Sequence, residues 1–78
     1  MNDTVVVSEM VIIGGEPMLY RPMRFADRQS ALDHLRQVKE KSVEEGYVAD
    51  VADNLADNGS LTITTESGNK FRYRVDVI

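Results

Sequence analysis

The sequence predicts an α+β domain, two β-hairpins flanking one long and one short helix in the order ββααββ. Three observations lead there. Two segments near the ends of the chain, Thr4–Phe25 and Leu61–Val77, are rich in β-branched and aromatic residues and are interrupted by glycine-bearing turns. The stretch between them, from Asp27 to Asp57, repeats its apolar residues at helical spacing instead. At 78 residues, the chain has room for one domain, taken as 1–78.

The first predicted strand is Thr4–Ile13, TVVVSEMVII, and the second is Met18–Phe25, MLYRPMRF. Gly14-Gly15 between them suits a tight turn whose central residues both need positive φ. Pro17 and Pro22 cannot donate to a ladder, so the second strand belongs at a sheet edge.

Asp27 is placed to cap a helix that carries Ala31, Leu32, Leu35, Val38 and Val43 on one face and stops at Gly46. In VADVADNLAD, Val48, Val51, Ala52 and Leu55 recur at helical spacing opposite Asp50, Asp53 and Asp57, which predicts a second, short helix ending at Asn58-Gly59. The last hairpin alternates Leu61, Ile63 and Thr65 with polar residues, then Phe71, Tyr73, Val75 and Val77 with Arg72, Arg74 and Asp76. A three-residue turn, Ser67-Gly68-Asn69, sets Ile63 opposite Tyr73, Leu61 opposite Val75 and Glu66 opposite Lys70.

With the second strand at an edge, the expected sheet has four strands in the order 2-1-4-3, with both helices on one face. That arrangement resembles, in topology alone, the β-grasp of small immunoglobulin-binding domains.

The first hairpin is apolar on both of its expected faces. One face carries Val6, Met10, Ile12, Leu19, Met23 and Phe25; the other carries Val5, Val7, Val11, Ile13, Met18 and Tyr20. Helices on one side of a single sheet cover only one of them, and an antiparallel sheet ordinarily keeps its second face polar. The last hairpin does so, with Thr62, Thr64, Arg72, Arg74 and Asp76. The second set, Val5 to Tyr20, is therefore expected to be an interface with another copy of the chain or with another protein, unless the fold curls to bury it.

The composition is poor in reactive groups. Without cysteine there are no disulfides, no thiolate nucleophile and no Cys-ligated zinc, and His34 is the one histidine. Ser30 and His34 stand one helical turn apart but lack an orienting acid, since Asp33 points about 100° away. Asp50, Asp53 and Asp57 on one helix would diverge into solvent instead of converging on a cation. No enzyme, metal or cofactor is expected.

The formal net charge is −4, with a concentration of acids from Glu40 to Asp57 against a single Lys41. Glu44, Glu45, Asp50, Asp53 and Asp57 form an alternative functional surface, an acidic decoy of the kind small phage inhibitors use to mimic nucleic acid. Direct nucleic-acid binding is not expected, because Tyr73 points away from the basic face of Arg72 and Arg74. The chain holds no run of about 20 apolar residues and no basic leader, so a cytoplasmic, non-membrane protein is expected.

Overall fold

A computed structural model describes residues 4–77. The α+β class holds, but the sheet has five strands, all antiparallel to their neighbours, in the order β2-β1-β5-β4-β3. The strands are β1 (Val5–Ile13), β2 (Glu16–Phe25), β3 (Val48–Asn54), β4 (Ser60–Thr65) and β5 (Lys70–Val77). One long helix, α1 (Arg28–Glu45), and one turn of helix, α2 (Leu55–Asn58), complete the chain.

The first hairpin turns at Gly14 and Gly15, with φ of 62° and 82°, the positive values expected of that turn. β2 is an edge strand, as its prolines require. α1 begins at Asp27, whose Oδ1 accepts the Ser30 N–H at 2.7 Å, and ends at Gly46 with φ 81°. Its buried face is Ala31, Leu32, Leu35 and Ser42, while Val43 is exposed.

The segment read as a second helix is mainly the edge strand β3, and only Leu55–Asn58 is helical. A one-residue bulge explains the misleading pattern. Val48 lies opposite Thr65 and Val51 opposite Ile63, so three residues of β3 span two of β4, with Ala49 as the extra one. The bulge puts Val48 and Val51 on the same side of a strand while leaving them at a helix-like spacing. Leu55, at the start of α2, is buried.

The added strand also ends the resemblance to the β-grasp. Two hairpins joined by one returning helix would leave the first and last strands parallel. Here β3 reverses the chain once more, and β5 runs antiparallel to β1. In the last hairpin the observed partners are Leu61 with Tyr73 and Ile63 with Phe71, two residues from the expected register. The loop is Glu66-Ser67-Gly68: Thr65 N–H donates to the Asn69 carbonyl at 2.8 Å, and Thr65 Oγ1 accepts the Asn69 N–H at 3.1 Å. A shift of two preserves the faces, so the apolar side remains Leu61, Ile63, Phe71, Tyr73 and Val75.

The core is Val5, Val7, Ala31, Leu32, Leu35, Leu55, Leu61, Ile63, Tyr73 and Val75, with Met23, Phe25, Val38, Val48, Val51 and Phe71 packed against it. α1 leaves the β2 edge, leads into β3 at the opposite edge, and packs on β1, β2, β3 and β5. It thus crosses the sheet from one edge to the other, and the residues at the turn end of the β1–β2 hairpin, Val11, Ile13, Met18 and Leu19, lie outside the core and the side chains packed against it. The molecule measures 44 × 24 × 19 Å, elongated by that long hairpin.

Candidate functional site

A second bulge decides which residues of the first hairpin share a face. Ile12 lies opposite Pro17, but Val11 lies opposite Leu19, leaving Met18 as the extra residue. From there on every side chain of β2 is turned over relative to a regular ladder. Val5, Val7, Glu9 and Val11 share a face with Phe25, Met23, Arg21 and Leu19; Val6, Ser8 and Met10 share the other with Arg24, Pro22 and Tyr20.

The six residues expected on one outer face are therefore divided. Val5 and Val7 lie in the core beneath α1, Val7 with no exposed surface at all. Val11 is half-buried on the same side, and Ile13 is 49% exposed. Met18 projects at the bulge, 62% exposed, and Tyr20 lies on the opposite, open face of the sheet at 61%. Leu19, 50% exposed, joins Val11 instead.

On the helix side the hairpin has three zones. The inner rungs, Val5–Phe25 and Val7–Met23, are apolar and lie toward α1. The next rung is an ion pair, with Arg21 Nη2 donating to Glu9 Oε1 at 3.0 Å. Tyr73 stands beside Glu9 on β5; burial pushes its phenol pKa far above the usual value, and the neighbouring carboxylate pushes it further. Beyond this polar rung the surface turns apolar again, with Val11, Leu19 and Ile13, and Phe71 opposite Val11 on β5.

The open face has a different character. Cross-strand rows run Tyr20–Met10–Arg72–Thr62–Ala52 and Pro22–Ser8–Arg74–Ser60–Asn54. They form a shallow groove of about 420 Å³ lined by Ser8, Met10, Tyr20, Thr62, Arg72 and Arg74, among others. The Tyr20 hydroxyl and Ser8 Oγ are hydrogen-bonded at 3.0 Å. Arg24, Lys70, Arg72 and Arg74 outnumber Asp50 and Asp76 there, so most of the chain's acidic excess lies elsewhere.

The acids of the alternative surface do not share a face. Glu44 and Glu45 are exposed at the end of α1, Asp50 is on the open face, and Asp57 is on α2. Asp53 is on the helix side, where Lys39 Nζ donates to it at 2.6 Å and the Leu55 N–H at 3.1 Å. Lys39 and then that N–H hold its pKa below the usual carboxylate value. The turning of β3 from helix to strand is what scatters the three aspartates.

His34 is a packing residue: its ring centroid lies 5.3 Å from that of Phe25, tilted by 42°. Among the described residues no group of three or more His, Asp or Glu side chains is placed to hold a metal ion, and no helix is long and apolar enough to cross a membrane. Neither family models, nor curated proteins, nor solved structures yield a match to this chain. The surfaces of the molecule are thus the basis for reading its function. Leu19 and Arg21 were expected on the other face of the hairpin, and only knowledge of the bulge at Met18 would have placed them beside Val11 and Glu9.

Proposed function

We propose that this chain is a non-enzymatic, cytoplasmic interaction module that pairs with a second copy of itself through the outer, helix-side half of the β1–β2 hairpin. The observation that carries the reading is the uncovered apolar surface of Val11, Ile13, Met18 and Leu19, beyond the reach of α1. Exposed apolar patches bounded by polar residues mark interaction sites, and the Glu9–Arg21 rung supplies such a boundary.

Three features favour a second copy. The patch borders both signs of charge, Arg21 with Glu9 and Glu16, as a surface complementary to a second copy of itself requires. The sheet edges are poor routes to pairing, because β2 carries Pro17 and Pro22 and β3 carries Asp50 and Asp53. A domain this small with no disulfide gains stability from association. The absence of cysteine fits a reducing compartment.

Sedimentation equilibrium on wild type and Leu19→Lys tests the reading. Wild type is expected at twice the 8.8 kDa chain mass and little affected by high salt, and the variant at one chain mass with an unchanged circular dichroism spectrum. A wild-type monomer at every concentration, or a dimer that Leu19→Lys leaves intact, contradicts it.

A further inference from the structure

The bulge at Met18 has a second consequence, on the opposite face of the sheet. It brings Tyr20 onto the surface that carries Lys70, Arg72 and Arg74, where a regular ladder would have turned it away. We propose that this open face binds single-stranded nucleic acid, with a base stacked on Tyr20 over Met10 and the backbone phosphates on Arg72, Arg74 and Lys70. This goes beyond the self-association above and uses the other side of the hairpin.

The geometry meets both requirements of such a platform, a basic track and an aromatic ring on one surface. Lys70, Arg72 and Arg74 alternate along β5, so their Cα atoms repeat every ~6.7 Å, the order of one extended nucleotide. Tyr20 lies in the same cross-strand row as Arg72, two strands away or about 10 Å, with Met10 between them as an apolar floor. The Ser8 bond to the Tyr20 hydroxyl holds the side chain in place and leaves the ring exposed. Thr62 and Thr64 on β4 add hydroxyl donors along the same track.

Charge complementarity singles out this ligand. Although the chain is acidic overall, four of its nine Lys and Arg residues, Arg24, Lys70, Arg72 and Arg74, lie on this face against two acids, Asp50 and Asp76; among the described residues Lys70 and Arg72 have no ion-pair partner, and Arg74 is paired only with Asp76, two residues on, Nε to Oδ1 at 3.2 Å. A shallow, open sheet face suits an unpaired strand whose bases can splay onto it, and an exposed ring adds nothing to the binding of a duplex, whose bases are already stacked.

Fluorescence anisotropy with a labelled oligothymidine of about a dozen nucleotides at low salt is the test. The expected result is saturable binding whose log–log salt slope is about −2, for three phosphates neutralised. Tyr20→Ala is expected to weaken binding by between about fivefold and a hundredfold while Tyr20→Phe, which keeps the ring, retains it. Arg72→Gln should reduce the slope by about 0.7, and Arg36→Gln on α1 should change nothing. All of these positions are solvent-accessible, so circular dichroism is expected to be unchanged. No binding at low salt overturns the proposal. So does binding that Tyr20→Ala leaves intact, or equal binding of a duplex or heparin, each of which would make the face a general polyanion patch.

Discussion

The inner and outer halves of the β1–β2 hairpin are built from the same kind of sequence, yet they lie in different surroundings. Val7 and Val11 alternate onto the same side of the same strand; one is fully buried and the other borders exposed Leu19 and Ile13. What separates them is cover: Val7 lies in the core with Ala31, Leu32 and Leu35 of α1, and Val11 lies beyond the Glu9–Arg21 rung and outside that core. An apolar residue in a strand records a face, whereas its cover depends on where a neighbouring helix runs and stops.

The comparison breaks most severely if its cover is removed. Leu35 is fully buried on α1, and Leu35→Ala is expected to cost about 2–5 kcal/mol in urea unfolding, a large part of what a domain of this size has. Gly59→Ala acts on the same inner half from the side of β5. Gly59 has φ +71°, and an added Cβ would stand 3.2 Å from the Cβ of Val75, the partner of Val7. The positive φ alone costs about 1–2 kcal/mol, so a clear drop in melting temperature is expected.

Tyr73 tests the boundary between the halves. Its folded pKa lies above the ordinary value of 10.0, so above that pH the unfolded chain ionises first and the fold loses stability as pH rises. Tyr73→Phe should flatten that alkaline decline in a series of melts, and an equal decline in both proteins would contradict the boundary described. At the acid end the sign reverses. The lowered pKa of Asp53 means that its stabilising contribution is present above the usual carboxylate pKa and is lost as pH falls. Asp53→Asn should remove that dependence, with an effect below about 1 kcal/mol because the pair is partly solvated. The smallest effect belongs to the outer half: Ile13→Thr is expected to change monomer stability by less than about 0.5 kcal/mol when melted at low concentration.

The local signals of the sequence were legible. The Asp27 cap, the Gly46 stop, the Gly14-Gly15 turn and the proline-marked edge strand all stand where their chemistry places them. What escaped were two single-residue insertions into otherwise regular ladders. Ala49 gave Val48 and Val51 a helical spacing on a strand, and Met18 exchanged the faces of β2. Both are ordinary residues with no signature in composition, and the bulge at Ala49 makes a strand's periodicity look helical, because a bulge is set by the partner strand's register. The candidate site suffered most, since its membership depends on which side each residue faces. The exposed apolar character of the hairpin was readable; the separation of Tyr20 from Leu19 was not.

One paired experiment addresses the central claim, that equivalent positions on a single strand face belong to core and interface respectively. Light scattering and circular dichroism would be recorded on wild type, Val7→Lys and Val11→Lys across a concentration series. The account predicts a dimeric wild type, an unfolded Val7→Lys, and a Val11→Lys that is folded and monomeric. A Val11→Lys that unfolds as Val7→Lys does, or a wild type that stays monomeric throughout, would contradict it.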